Sequence, residues 1–205
     1  MDTAEGYPAF ILDQDLETDE LDVKLTYRPS TRIRTSFSYQ FVSTEFETET
    51  DTEPPSSVES GNYDANVYSL GLSVMPVARF YLTGVVTYRD IRTHGFDNGV
   101  DSVVTYEGDV ISFTGNAVYA VTEKTDLEFG YIFSRSENSR DNEESGLPLL
   151  LDHIRHRLLA TASHNLTENL SLLFRYGFYA YDEDSNLGID DYHAHRFGVG
   201  AEVKF

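Results

Sequence analysis

The fold of this chain is decided by residues 21–41, which read LDVKLTYRPSTRIRTSFSYQF. Every second residue from Leu21 to Tyr27 is apolar and the residues between them are polar. The same alternation resumes at Ile33, after a turn at residues 29–31. Successive side chains of a β-strand point to opposite faces, so this pattern predicts strands with one apolar and one polar face. The stretch therefore predicts two antiparallel strands joined by a short turn.

The same hairpin recurs along the rest of the chain. Turn centres near Ser30, Pro76, Glu123 and Thr167 are 46, 47 and 44 residues apart. Helical periodicity of 3.6 residues appears nowhere at length, so the chain is predicted to be all-β. Short turns at one end and long loops at the other are typical of an antiparallel up-and-down transmembrane β-barrel. The long loops are predicted at residues 44–62, 90–106, 137–152 and 182–191.

Alternation alone also fits a soluble sandwich or a lipocalin-like barrel, because periodicity does not show which face points inward. Three features favour the membrane barrel: the strands are long, aromatic residues gather near strand ends, and the last residue, Phe205, falls on the apolar face. Aromatic side chains concentrate where a membrane meets water. The residues predicted to form this interfacial girdle are Tyr27, Phe41, Tyr88, Tyr119, Phe133, Phe178 and Phe197.

Two segments resemble the hairpins of Gram-negative outer-membrane barrels, namely residues 25–34 (LTYRPSTRIR) and residues 190–205 (DDYHAHRFGVGAEVKF). The alternation that ends in Phe205 resembles the signal that the outer-membrane assembly machinery reads. Within this class the chain looks most like β-barrel porins and the barrels associated with decahaem cytochromes. The resemblance covers residues 21–205. It implies a bacterial outer-membrane location, with lipid, lipopolysaccharide and the assembly machinery as partners.

Nine strands are counted from Leu21 onward, whereas single-chain bacterial barrels have an even number. Residues 1–20 are predicted as an N-terminal segment with a weak strand and an acidic loop at residues 13–20. Pro8 weakens that strand because proline cannot donate a ladder hydrogen bond. Residues 21–205 are predicted to form the barrel. One interpretation is a complete ten-stranded barrel; the other is the C-terminal part of a larger barrel, which the missing signal peptide and poor first strand favour.

The composition excludes several classes of protein. Lys and Arg total 15 against 35 Asp and Glu, for a formal net charge of -20, which argues against nucleic-acid binding because that needs a cationic surface. The chain has no cysteine, so disulfides, thiolate metal sites and covalent haem attachment are excluded. Its aromatic content of 13% is too high for a disordered acidic chain. No apolar run reaches the length of about 18 residues that a transmembrane helix needs.

Most carboxylates fall between the predicted strands, whereas arginines gather on the polar strand faces. A guanidinium that faces lipid costs about 2–4 kcal/mol at the bilayer midplane, so these arginines are expected to face the lumen. The functional hypothesis is an anion-favouring conduit beneath an acidic outer vestibule. The alternative is that lumenal arginines and carboxylates pair with one another and stiffen the wall. The predicted lumen-lining residues are Arg28, Arg32, Arg34, Arg79, Arg89, Arg155, Arg157, Arg175 and Arg196.

No catalytic constellation is found, so no enzymatic activity, resident cofactor or metal site is predicted. The nearest approach to a metal site is the D-x-D-x-N pattern of Asp182, Asp184 and Asn186, which lacks the glycine and the bidentate glutamate of an EF-hand. The acidic segments either bind divalent cations that bridge to lipopolysaccharide phosphates or are simply solvated. His193 and His195 share a strand face near the outer rim, where interfacial polar residues are expected rather than metal ligands or a general base.

The function predicted from the sequence is therefore a passive outer-membrane pore with an arginine-rich lumen. The resemblance implies an alternative, in which the barrel is a sheath around a multihaem electron-transfer cytochrome. That cytochrome would be a separate chain, because haem attachment through thioethers needs cysteine. A rim-active barrel enzyme or an adhesin ranks below these two, and a soluble β-sandwich interaction domain ranks last.

Overall fold

The computed structural model describes residues 11–50, 57–97, 100–138, 152–183 and 191–203. These residues form nine strands, which confirms the all-β prediction and the predicted strand number. None of them belongs to a helix long and apolar enough to cross a membrane. The strands are β1 (Ile11–Ser30), β2 (Ile33–Thr50), β3 (Ser57–Val77), β4 (Phe80–Asp97), β5 (Val100–Ala120), β6 (Thr125–Asn138), β7 (His153–Asn165), β8 (Leu170–Glu183) and β9 (Tyr192–Val203).

All nine strands belong to one antiparallel sheet, in which each strand pairs with its neighbours in sequence from β1 to β9. This is the up-and-down order that the regular hairpin spacing predicts. Within the described ranges β1 pairs with β2 and β9 pairs with β8, so the sheet has two edges there. The short connections lie together at one end of the sheet, here called the turn end. They are residues 31–32, 78–79, 121–124 and 166–169.

Backbone hydrogen bonds tie the short turns into the sheet. The amide of Met75 donates to the carbonyl oxygen of Arg32 at 2.8 Å, and the amide of Asn165 donates to that of Lys124 at 2.8 Å. Each of these bonds joins a turn residue to the strand of the adjacent hairpin. These backbone groups are hydrogen-bonded within the sheet and need no water as a partner, so neighbouring hairpins are joined at the turn end.

At the opposite end, called the far end, the strands continue well beyond the predicted boundaries. Residues 13–20, predicted as an acidic loop, belong to β1. Across β1 and β2, Thr18 Oγ1 lies 3.1 Å from Thr44 Oγ1. Backbone pairing requires only an extended chain, so polar strands can pair without the apolar alternation by which strands are recognised.

Two of the predicted long loops are shortened for the same reason. Most of residues 44–62 lies in β2 and β3, and most of residues 90–106 lies in β4 and β5. Residues 1–10 and most of the predicted loops at 137–152 and 182–191 lie outside the described ranges. The strands of the long hairpins therefore reach 18 to 21 residues, about twice the 9–11 needed to cross a bilayer.

The register divides the sheet into an apolar face and a polar face. Large hydrophobic side chains on the apolar face are widely exposed: Leu25 is 63% exposed, Leu70 61% and Phe174 50%. The only apolar side chains buried in the described part of the chain are those of Ala65 and Ala180. A single-layer sheet has no interior in which to bury large side chains. An apolar surface of this extent is therefore expected to meet another apolar medium.

One aromatic ring on the apolar face depends on neighbouring glycines. Phe113 lies over Gly115 and Gly84, where an added Cβ would lie 2.9 Å from Phe113 Cζ and 3.4 Å from Phe113 Cε2, respectively. We expect Gly115→Ala to lower the free energy of unfolding by about 1–3 kcal/mol, because the ring must move. Urea unfolding from phospholipid vesicles measures the change. Gly130→Ala is the control, since its Cβ would meet nothing closer than 3.8 Å; equal values for both variants would contradict the expectation.

Candidate functional site

Seven of the nine arginines predicted to line the lumen lie in strands, on the polar face of the sheet. The cross-strand partners of Arg34 and Arg175 are Ser73 and Gly198, so small or polar residues border these guanidinium groups. For these seven arginines, the alternation in the sequence and the strand register in the structure indicate the same face. The seven are Arg28, Arg34, Arg89, Arg155, Arg157, Arg175 and Arg196.

The predicted positions of Arg32 and Arg79 on a strand face are wrong, because both residues lie in the turns that join β1 to β2 and β3 to β4. Alternation assigns a face only while the backbone stays extended, and it carries no such information through a tight turn. Arg32 nevertheless lines a hollow at the turn end together with Arg28 and Arg34, with a volume of about 600 Å³. Arg79 lies on the turn-end rim, and its carbonyl oxygen accepts a hydrogen bond from the amide of Ala120 at 2.9 Å.

A second hollow lies on the polar face of β7, β8 and β9, with a volume of about 470 Å³. Three arginines from three different strands line it, and glycines in the middle leave it open. The strand pairing alone brings these groups together, since they are distant in sequence. We call it the arginine hollow; the residues that matter for its chemistry are Arg157, Arg175, Arg196, Tyr179, Gly177 and Gly198.

Tyrosine rings orient two arginines beside this hollow. Arg157 Cζ lies 5.4 Å from the ring centre of Tyr179, and Arg155 Cζ lies 5.8 Å from that of Tyr181. The Tyr179 ring leans over Gly177, where an added Cβ would lie 3.1 Å from Tyr179 Cε2. A cation–π contact at an exposed site contributes about 0.5–1 kcal/mol. It holds the guanidinium in place without neutralising its charge.

The polar-face arginines form no ion pair with any carboxylate in the described ranges. The ion pairs found there join Arg92 to Asp90 at 3.8 Å and Arg135 to Glu137, and both lie on the other face of the sheet near the far end. On the polar face, Glu128 accepts a hydrogen bond from Asn116 Nδ2 at 3.2 Å instead. The ladder of arginine–carboxylate pairs considered as an alternative is therefore absent from the described wall.

The aromatic residues predicted as an interfacial girdle all lie in strands on the apolar face. Around Tyr88 they join a wider band, in which the ring centres of Tyr39 and Tyr68 are 5.0 Å apart and those of Tyr68 and Tyr88 are 6.3 Å apart. The Tyr88 hydroxyl donates to Asp109 Oδ1 at 2.8 Å, on the side toward the far end. An apolar ring with a hydroxyl that reaches polar groups suits the boundary between lipid and water.

Tyrosines and histidines extend this aromatic band beyond the predicted residues. Tyr131 Oη lies 2.8 Å from His156 Nδ1, and Tyr176 Oη lies 3.0 Å from His195 Nδ1. His193 stacks on Phe178, with ring centres 6.2 Å apart. Sequence reasoning missed Tyr39, Tyr68, Tyr131 and Tyr176, although all four share the apolar phase of the alternation.

The aromatic band runs obliquely across the rows of paired residues. The row that contains Tyr88 leads by cross-strand pairing to Asp182 on β8. The band residue on that strand, Phe178, lies four residues before Asp182 (182 − 178), toward the turn end. Strands of a barrel are tilted and their register is staggered, so one level plane crosses successive strands at shifted positions. The oblique band therefore indicates tilted strands that cross a common plane.

Beyond the band, the far ends of β1 and β2 carry facing carboxylates on the same side of the sheet as the apolar residues. Glu17 pairs with Glu45, and Asp15 pairs with Glu47. Like charges directly opposite each other destabilise an antiparallel pair. Much of the acidic charge of this hairpin thus lies on the extended strands, on the face that does not carry the arginines, while Glu20 and Asp22 lie on the polar face.

We expect Glu45→Gln to raise the free energy of unfolding by about 0.2–1 kcal/mol, because it removes repulsion from Glu17. The gain in stability should shrink as salt is added, because both carboxylates are exposed and salt screens the repulsion between them. Urea unfolding at low and high ionic strength measures both effects. Glu20→Gln is the matched control: its carboxylate accepts a hydrogen bond from Gln40 Nε2 at 2.7 Å, so no gain is expected. A gain of the same size in both variants would exclude cross-strand repulsion as the cause.

No group of three or more metal-ligating side chains occurs in the described part of the chain. Of the three weak metal candidates, Asp182 lies in β8 on the apolar side of the sheet, while Asp184 and Asn186 lie outside the described ranges, as does Phe205. His153 and His156 fall on opposite faces, as their spacing predicts. The described residues among these candidates do not come together as a catalytic or metal centre.

The single meander, the exposed apolar face, the oblique aromatic band and the arginine-bearing polar face define the wall of an outer-membrane β-barrel. Proteins of this class reside in the outer membrane of Gram-negative bacteria. No family model matches the sequence, and no curated protein is similar to it in sequence.

Solved outer-membrane proteins are similar to this chain in structure. The siderophore receptor PirA from Acinetobacter baumannii is similar with a TM-score of 0.68 and 7% identity, over 91% of this chain and 31% of the receptor. The outer membrane channel DcaP of Acinetobacter baumannii is similar with a TM-score of 0.48 and 10% identity, over 90% of this chain and 62% of the channel. This chain thus spans about a third of the length of the receptor. Neither protein is named as an enzyme.

Proposed function

We propose that this chain forms part of the wall of a passive outer-membrane pore that favours anions. The observation that carries the proposal is the set of polar-face arginines that have no carboxylate partner in the described ranges. Paired charges would cancel, whereas unpaired guanidinium groups leave a positive potential along the face. Positively charged side chains that line a pore favour the entry of anions.

The proposal requires the polar face to border water and the apolar face to border lipid. An arginine that faces lipid near the midplane costs about 2–4 kcal/mol, so several of them on one face exclude lipid from it. Leu25 and Leu70 on the other face are both more than 60% exposed, which favours contact with lipid there. The two requirements support the same orientation.

The described carboxylates that contribute to the net charge of -20 are divided between the two faces of the sheet, and the acidic far end of the β1–β2 hairpin lies mostly on the face opposite the arginines. Asp15, Glu17, Glu45 and Glu47 are on the opposite face from the arginines and at the far ends of their strands. Exposed charges are screened over about 8 Å at physiological ionic strength. These four acidic residues would therefore act at the outer surface and the arginines along the passage.

We also propose the partners that this orientation entails. Lipid would contact the apolar face, and lipopolysaccharide would surround the acidic far ends of β1 and β2. Divalent cations are suited to bridge carboxylates and lipopolysaccharide phosphates, because they prefer oxygen ligands. The outer-membrane assembly machinery would insert strands that carry this alternation of apolar and polar residues.

The test is the reversal potential of the full-length protein in a planar bilayer under a potassium chloride gradient. We expect discrete conductance with chloride more permeant than potassium. A preference for potassium would overturn the proposed selectivity. Absence of conductance, together with a haem absorption band in the gently solubilised native complex, would favour a cytochrome sheath instead.

A further inference from the structure

The arginines of β7, β8 and β9 are spaced regularly along the polar face. They occupy four successive rows of paired residues, with one arginine in each row. Neighbouring rows on one face are two residues apart, or about 7 Å. From the far end to the turn end, the rows contain Arg155 beside Tyr181, Arg157 beside Tyr179, Arg196 beside Gly177, and Arg175 beside Thr161.

Gly177 lies at the centre of the three arginines that line the hollow. Arg196 is its cross-strand partner on β9, and Arg175 lies two residues before it on β8. Tyr179 lies two residues after Gly177 on β8. Its ring contacts the guanidinium group of Arg157. Because glycine has no side chain, the three charged groups border one shared space of about 470 Å³.

No described carboxylate of the polar face forms an ion pair with these three arginines, and Asp126 on β6 lies one row beyond Glu128 toward the turn end. Glu128 lies in the same row as Arg175 but two strands away, about 10 Å across the sheet, and it already accepts a hydrogen bond from Asn116. Glu202 lies on β9 four residues beyond Gly198, the cross-strand partner of Arg175 (202 − 198). Three like charges thus share one hollow, which costs repulsion unless an anion occupies it.

We propose that the arginine hollow is a binding site for a small oxyanion that carries two or more negative charges. The proposal rests on the proposed function, because a solute reaches the hollow only if the polar face borders the passage. The planar fork of a guanidinium matches the oxygen spacing of phosphate and carboxylate groups and binds them in bidentate fashion. The volume of about 470 Å³ exceeds the lower limit of about 300 Å³ for small-ligand pockets.

The probe is inorganic phosphate, titrated into the full-length detergent-solubilised protein by calorimetry, with chloride at constant concentration. We expect one saturable site. Arg175→Gln and Arg196→Gln should each weaken phosphate binding about tenfold, the effect of losing one charge-assisted hydrogen-bonded contact. Arg135→Gln is the matched control, because it removes the same charge from the other face of the sheet. It should leave phosphate affinity unchanged.

Gly198→Val tests the hollow without changing any charge. A Cβ at position 198 would lie 3.7 Å from Arg175 Cβ, an ordinary contact, so the variant is expected to fold. The added side chain would occupy the hollow and weaken phosphate binding, while the chloride-to-potassium permeability ratio stays unchanged. Phosphate affinity that is the same in Gly198→Val, Arg175→Gln and the native protein would overturn the site.

The two proposals fail separately. Chloride selectivity without saturable phosphate binding would overturn the site and leave the anion-favouring pore standing. Saturable phosphate binding that is lost in Arg196→Gln, in a pore that prefers potassium, would support the site and overturn the proposed selectivity. Equal loss of phosphate binding in Arg135→Gln would overturn the assignment to the hollow, since that side chain lies on the opposite face.

Discussion

Replacing Arg155, Arg157, Arg175 and Arg196 together by glutamine is expected to lower the chloride-to-potassium permeability ratio by at least about tenfold. Two unit charges 4 Å apart in water interact with about 1 kcal/mol, and a tenfold change needs about 1.4 kcal/mol. The four side chains follow one another in consecutive rows, so an ion that moves along the wall stays within a screening length of at least one of them. None of the four has a described carboxylate partner whose charge would be left behind.

The reversal potential of the quadruple variant in a planar bilayer measures this change. The matched control is Arg92→Gln combined with Arg135→Gln, which removes two guanidinium groups from the other face. It should leave the ratio unchanged, although it breaks both ion pairs. If the control alters selectivity as much as the quadruple variant does, the polar face is not the surface that ions follow.

Leu72→Arg is expected to lower the free energy of unfolding from phospholipid vesicles by about 2–4 kcal/mol. Leu72 lies on the apolar face of β3, between the aromatic band at Tyr68 and the turn end, and it is 48% exposed. A guanidinium there would stand in the hydrocarbon, and its desolvation is offset only in part when the side chain reaches toward the interface.

Ser69→Arg supplies the comparison on the same strand. Ser69 lies three residues from Leu72 and on the polar face, where its hydroxyl oxygen is 3.1 Å from Thr87 Oγ1. A guanidinium at this position would remain in water, so the change should stay within about 0.5 kcal/mol, as for other surface substitutions. Urea unfolding of the two variants gives the difference. A cost for Ser69→Arg as large as that for Leu72→Arg would reverse the assignment of the two faces.

Much of the fold follows from the alternation of side chains. In residues 21–41 the apolar phase identifies two strands and the face of the side chains within them, and the structure confirms both, whereas the turn lies at residues 31–32 rather than 29–31. The reasoning succeeds because a strand in a membrane wall meets lipid on one side and water on the other. Side chains that face lipid are apolar and those that face water are polar, so the polarity of each residue indicates the side on which it lies.

Alternation does not identify strands at the far end of the sheet, where both faces carry polar residues. Residues 13–20 and 44–50 form strands whose faces are both rich in polar residues, and alternation of hydropathy does not reveal them. Arg32 and Arg79 lie in turns, where alternation does not assign a face because a turn has no period of two. In both cases the backbone geometry is set by pairing with a neighbouring strand rather than by the polarity of the side chains.

The sequence by itself determined the class of fold, the nine strands counted from Leu21 onward and the face of the seven predicted arginines that lie in strands, because these depend on local alternation. Only the tertiary structure decided which arginines meet. Arg157, Arg175 and Arg196 are separated by 18 and 21 residues in the chain (175 − 157 and 196 − 175), and they border one hollow because the register of β7, β8 and β9 places Gly177 between them. A shift of one residue in that register would turn every side chain of a strand to the other face. Which side chains become neighbours across strands therefore depends on strand pairing and not on the sequence of any one strand.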